Sequence, residues 1–287
     1  MTAAARELLV HWLDRQLDAP RRAWLHDQLA RLRAGCSDRD FYLAISYVPR
    51  KLGKADLVLT ADDLMAAAAA RRGWEPSEWS VDQAARLVLL LAGGGTGDGF
   101  AQRLRQLFVT ADIGETITFY RGLPLYPDPE RHVARAREGA RSGMRPIFEA
   151  VAHHNPYPAE MFDELAWNHL VLKALFIGTA LDPIQGLDAR ANPVLMRMLC
   201  DYAHERWAAG RPVSPELWRC VGPHADAAAL DDLRRVLASG GGREREAAAL
   251  ALAACRRPEA QAMLADEPEL AAALAAGRLS WRALAEG

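Results

Sequence analysis

The 287-residue chain lacks most of the features that assign a protein to a specialised class. It has no CxxC pair: Cys36, Cys200, Cys220 and Cys255 stand singly, which argues against a zinc knuckle or a redox dithiol. Lone cysteines in a reducing compartment read as small buried hydrophobes. Long apolar runs are missing too. The most apolar stretch, residues 87–92, falls far short of the about 20 residues needed to span a bilayer. Neither charge sign dominates, since the formal net charge is −2, so no global basic field attracts nucleic acid. Basic pairs at Arg21 with Arg22 and Arg234 with Arg235 lack interleaved aromatics and read as solvated helix faces. The opening MTAAARELLVHWLDRQ contains no signal-peptide core, because Arg6, Glu7, His11 and Asp14 interrupt it. The expectation is a cytoplasmic protein with no membrane span and no nucleic-acid partner.

Strand signals are nearly absent. VLLL (88–91) and LFIG (175–178) each lie inside a longer helical pattern. What the chain does have is apolar content of 51%, enough for a sizeable core, arranged at helical spacing. Leu8, Leu9, Trp12, Leu13 and Leu17 set a 3.6-residue period over 3–17. Pro20 then suits the start of a helix running to 34. Ser37 with Asp40, Thr60 with Asp63 and Ser80 with Gln83 repeat the spacing of a capping box. They open helices from 38, over 61–72 and over 81–92. Further helices are predicted over 99–109, 112–121, 130–141, 161–178, 193–209 and 215–221. GGGTGDG (93–99) lacks the GK[ST] ending of a P-loop and follows a helix, so it reads as a flexible loop. LPLYPDP (123–129) is a proline turn, and HHNPYPAE (153–160) a rigid loop. From 226 the chain becomes alanine-rich, with short helices over 226–238, 244–255, 258–265 and 268–276. The fold class is all-α, a multi-helix right-handed stack with HEAT-like short pairs toward the C-terminus. The division expected is a helical domain over 1–225 and an extension over 226–287.

Two helices carry polar groups in unexpected places. Over 162–178 the apolar residues cover every direction of the wheel, as in a buried helix, yet Asn168, His169 and Lys173 fall mid-length. A buried lysine needs a carboxylate, solvent or a polar cavity. Over 193–209 the apolar stripe is Val194, Leu195, Met198, Leu199 and Tyr202, and the wheel places Glu205 and Arg206 within it. Arg197, Asp201 and His204 form a separate polar edge. Two readings stay open: a paired network that fixes packing, or a polar pocket where Lys173 and Arg206 meet an anion or carbonyl of a small molecule. His153, His154, Glu160, Asp163, Glu164, His204 and Glu205 are metal-capable types, but HxxxH and HExxH spacings are missing. No GxSxG elbow signals a hydrolase. Lys54 and Asp56 read as a surface ion pair, and Tyr120 with Arg121 lies beside the LPLYPDP turn.

Four long segments go further than physical patterning. They are FYLAISYVPRKLGKADLVLT (41–60), LFVTADIGETITFYRGLPLYPDPE (107–130), NPYPAEMFDELAWNHLVLKALFIG (155–178) and GLDARANPVLMRMLCDYAHERWAAGRPVSPELWRCVGP (186–223). In this order they resemble the EboA family of bacterial metabolite-traffic proteins over residues 1–225. The resemblance implies a soluble cytoplasmic component of a system that moves a secondary-metabolite precursor toward the periplasm. It implies an adaptor or small-molecule carrier whose partners are encoded in the same cluster, among them a prenyltransferase-like membrane protein. No cofactor and no catalytic residue set is carried over. An enzyme acting on a small polar metabolite in a charged pocket is the alternative. The motif and wheel positions together nominate Lys54, Asp56, Tyr120, Arg121, Asn155, Asn168, Lys173, Asp188, Arg190, Asn192, Asp201, His204, Glu205, Arg206 and Arg219 as ligand-binding candidates.

Overall fold

The computed structural model describes residues 2–286, and the side chains of residues 3–285. Among these residues the architecture is helical with no strand, as the periodicity predicts. The chain divides into two compact units, Met1–Phe162 and Asp163–Gly287. The alanine-rich segment from 226 therefore shares a unit with the helices before it.

The first unit contains α1 (Thr2–Gln16), α2 (Ala19–Ala34), α3 (Asp38–Leu52), α4 (Ala61–Ala70) and α5 (Val81–Gly93). It continues with α6 (Gly97–Thr110), α7 (Ile113–Arg121), α8 (Val133–Ala140), α9 (Arg145–Ala152) and α10 (Tyr157–Met161). Helix α5 is apolar on nearly all sides, with Val81, Ala84, Ala85, Leu87, Val88, Leu89 and Leu90 buried. Such a helix belongs at a centre, and α1, α2, α3 and α7 pack around it. Beside it Trp12, Trp74 and Trp79 form a ladder with ring centroids 5.5 and 5.9 Å apart. The three predicted caps form, each supplying partners for helix-end amides. Ser37 Oγ accepts from Asp40 N at 3.1 Å. Thr60 and Asp63 close a capping box, and Ser80 N donates to Gln83 Oε1 at 3.3 Å. The LPLYPDP segment tightens into 3₁₀ turns at Leu123–Leu125 and Pro129–His132. Helix α9 was not among the predicted helices; its segment follows Gly143 and contains Pro146. Pro146 occupies the first helical turn, where its missing N–H costs nothing. The 153–160 loop likewise holds the short α10.

The second unit contains α11 (Glu164–Ile177), α12 (Pro193–Ala208), α13 (Trp218–Val221) and α14 (Ala227–Ser239). It ends with α15 (Gly242–Ala254), α16 (Pro258–Ala265), α17 (Pro268–Ala275) and α18 (Trp281–Glu286). Helix α15 is its hub, packed against α13, α14, α16, α17 and α18. The alanines explain why. Ala247, Ala248, Ala249 and Ala251 are all buried, so neighbouring backbones approach closely. At Gly222 a side chain would place its Cβ 2.7 Å from Ala251 Cα, closer than packed atoms tolerate.

Candidate functional site

Half of the nominated residues of the second unit gather around the irregular segment 179–192 between α11 and α12. Such a segment leaves backbone groups without helical partners, and side chains supply them. Glu216 is buried, and its carboxylate accepts Leu181 N at 3.1 Å and Asp182 N at 2.9 Å. Arg219 forks onto Asp188, with Nε–Oδ1 at 2.7 Å and Nη2–Oδ2 at 2.8 Å, while its Nη1 reaches Asp182 at 2.7 Å. Burial lowers the Arg219 pKa, but the two carboxylates outweigh that and hold it above its ordinary value. Asn168 and Asn192 pair amide to amide at 2.8 and 3.3 Å. Asn192 also caps α12 by accepting Leu195 N at 2.8 Å. The Arg190 guanidinium lies 4.7 Å from the Trp167 ring centroid, a cation–π contact, and desolvation depresses its pKa. His224 bonds the Ala191 carbonyl at 2.9 Å. Asn168, Asp188, Arg190, Asn192 and Arg219 thus act together, as clamps on a loop.

The remaining candidates of this unit point elsewhere. Helix α11 is not buried all round: Leu165 is 63% and Phe176 71% exposed. Spaced eleven positions apart, with exposed His169 and half-buried Leu172 between them, they form one outward stripe. Lys173 is half-buried and resolves its burial problem by reaching over the Phe176 ring, 5.2 Å from its centroid. The buried face of α12 is Leu195, Met196, Leu199, Cys200 and Ala203. The expected stripe is therefore rotated: Val194 and Glu205 are exposed, and Arg206 donates Nε to the Pro212 carbonyl at 3.0 Å. The wheel placed Glu205 between Val194 and Met198, which are exposed and half-buried, whereas Arg206 does lie between the buried Leu195 and Leu199 and is half-buried. Lys173 and Arg206 each sit on an aromatic of their own helix, Phe176 and Tyr202. Asp201 is exposed, while His204 Nε2 meets Asp232 Oδ1 at 2.6 Å.

In the first unit Lys54 and Asp56 are exposed in the loop after α3, where Asp56 bridges to Ser80 through the backbone. Tyr120, Arg121 and Asn155 do come together. Asn155 is buried and donates Nδ2 to the Tyr120 and Ala150 carbonyls, both at 3.1 Å. Arg121 donates Nη1 to the Glu78 carbonyl at 2.7 Å and to Gln83 Oε1 at 2.9 Å. Desolvation lowers its pKa. Beside it His154 Nδ1 meets Glu75 Oε2 at 3.0 Å, and Nε2 lies 3.8 Å from Glu78 Oε1. That hydrogen bond to Glu75 raises the His154 pKa.

Besides Glu216, a second centre carries no nominated residue. Arg86, only 2% exposed, extends from α5 to Asp82 Oδ2 at 2.9 Å and Glu115 Oε1 at 3.3 Å. The signal was present: Asp82 and Arg86 stand at i,i+4 in a helix otherwise apolar. Both acids lie in first turns, of α5 and α7, where helix dipoles favour negative charge. Among the described residues no group of three or more His, Cys, Asp and Glu has a metal-holding arrangement, and no helix is long and apolar enough to cross a membrane.

No curated protein and no solved structure shows a match to this chain. A family model does. The model described as metabolite traffic protein EboA matches residues 5–222, which takes in the clamped loop, the outward stripe of α11 and the Arg121 cluster. With most of its length covered by that model, the chain belongs to the EboA family of metabolite traffic proteins.

Proposed function

We propose that the chain works in metabolite traffic as an adaptor, docking another protein of the system on the outer face of α11. The observation that carries this reading is the exposure of Leu165 and Phe176 within the family-matched segment. Large apolar side chains aligned on an exposed helix face mark contact surfaces, and aromatic anchors dominate such contacts. The clamps support the same reading. Glu216, Arg219 and the Asn168–Asn192 pair spend their polar groups fixing the loop that follows α11, which keeps the face rigid. A preorganised face loses less entropy on binding. The site of action in this reading is the cytoplasm, and the traffic runs toward the periplasm with a membrane partner encoded nearby. The cargo class is a secondary-metabolite precursor.

The test is purification from the native host after mild crosslinking, with wild-type protein and the Leu165→Glu/Phe176→Glu double variant. Wild type is expected to bring down a protein encoded in the same cluster, and the variant to lose it. Equal recovery by both, or none by wild type, counts against the adaptor.

A further inference from the structure

Helices α2 and α3 form an antiparallel hairpin whose inner faces rest on α5. The side away from the centre bears a groove of about 770 Å³, within the size range of small-molecule sites. It runs from the turn at Gly35 to the level of Trp24, roughly 16 Å at the helical rise. Leu32 and Ala44, both buried, make its floor. Leu43, 37% exposed, and Tyr47, 43% exposed, stand on one wall and half-buried Trp24 on the other.

The charges sort by availability. Arg31 is taken by Asp27 at 3.0 Å, and Asp40 accepts the Ser37 hydroxyl at 2.7 Å. Lys51, at the Trp24 end, is exposed and has no ion-pair partner among the described residues. Arg21, one turn before Trp24, is taken by Asp18 at 3.6 Å, and the same Asp18 caps the amino-terminal end of α2. The groove therefore offers an apolar floor, two ring faces and an available ammonium at one end.

We infer that this groove binds an elongated amphipathic organic anion, with a flat aromatic body lying between Trp24 and Tyr47 and a carboxylate meeting Lys51. Ring faces hold flat apolar bodies by offset stacking, and the ammonium selects the anion over a neutral isostere. This site gives the chain a cargo of stated chemistry. It is separate from the α11 docking face and stands or falls apart from it.

The experiment measures 2-naphthoate and its neutral isostere 2-naphthamide by saturation-transfer NMR and calorimetry. Naphthoate is expected to bind wild type about two- to fivefold more tightly than the amide, the scale of one exposed charge contact. Lys51→Gln should bring naphthoate to the level of the amide and leave the amide unchanged. Tyr47→Ala should weaken both ligands. Leu165→Glu/Phe176→Glu should leave both unchanged, which separates this site from the adaptor face. All four positions are exposed, so the variants are expected to fold as wild type does. No binding, equal affinity for the two ligands, or full naphthoate affinity in Lys51→Gln overturns the proposal. So does a photocrosslinker at position 47 that captures a protein in the native host, since the groove is then a helix-docking surface.

Discussion

The imidazole of His154 meets the Glu75 carboxylate at 3.0 Å from a backbone held at φ +50°. A residue with a Cβ in left-handed backbone stores strain of order 1–2 kcal/mol. The ion pair is what opposes that strain. Glu78 and Arg121 also face the ring, Glu78 favouring the protonated form and Arg121 opposing it.

A pH dependence follows, with a definite sign. Because the folded pKa of His154 lies above 6.5, its contribution is complete below about pH 6.5 and disappears as pH rises through the folded value. Melting curves from pH 6 to pH 9 should show this fall in wild type. The slope should be reduced in His154→Ala and His154→Gly alike. At pH 9, His154→Gly should be at least as stable as wild type, because glycine adopts this backbone freely. A wild-type slope retained in His154→Ala would show that another group titrates.

Arg86 neutralises two carboxylates inside the first unit. Removing one member of a buried ion network leaves uncompensated charge, at about 3–5 kcal/mol. Arg86→Met is therefore expected to shift urea unfolding of the first unit strongly, read by tryptophan fluorescence. Adding Asp82→Ala and Glu115→Gln should return part of the loss. If Arg86→Met alone unfolds like wild type, the Arg86 contacts to Asp82 and Glu115 add nothing to the stability of the first unit.

Cysteine reactivity gives a third prediction. Burial pushes Cys200 to about 12, with Asp232 adding to it, and pushes Cys220 likewise to about 12. Thiolate is the reactive form. Iodoacetamide at pH 8 is expected to label half-buried Cys36 first, and Cys200 and Cys220 only after denaturant is added. Rapid native labelling of Cys200 or Cys220 would mean that the second unit opens locally.

The helices were legible because each signal was local. Ser37, Thr60 and Ser80 act on amides three positions on, and the apolar period repeats within each helix. Helix α9 was not legible, since Pro146 and Gly143 mark a break as readily as a first turn. The candidate sites divide along the same line. Tyr120, Arg121 and Asn155 were nominated, and the fold joins them. Their neighbours His154 and Glu78 lie far apart in sequence, and no local pattern links them. The exposure of Leu165 and Phe176 could not be read from a wheel on which every direction is apolar, because which face meets the core is decided by partners outside the helix. Glu216 was overlooked for a related reason. It sits on a 3₁₀ turn and bonds backbone amides, which carry no residue identity.

The Glu216 carboxylate yields the last prediction. Its two oxygens accept from Leu181 and Asp182, so both amides of the turn depend on one side chain. Glu216→Gln keeps shape and one acceptor, while Glu216→Ala removes both. A buried backbone donor left unpaired costs about 1–3 kcal/mol. Hydrogen exchange should therefore accelerate over 179–192 in Glu216→Ala, roughly tenfold or more, and less in Glu216→Gln. Arg219→Lys offers the second arm. It keeps the charge but loses the fork onto Asp188, so acceleration should centre on 186–190 with 181–182 protected. Uniform exchange in both variants would mean that the two clamps act as one cooperative unit. Unchanged exchange in both would remove the clamps from the account of what holds the α11 face in place.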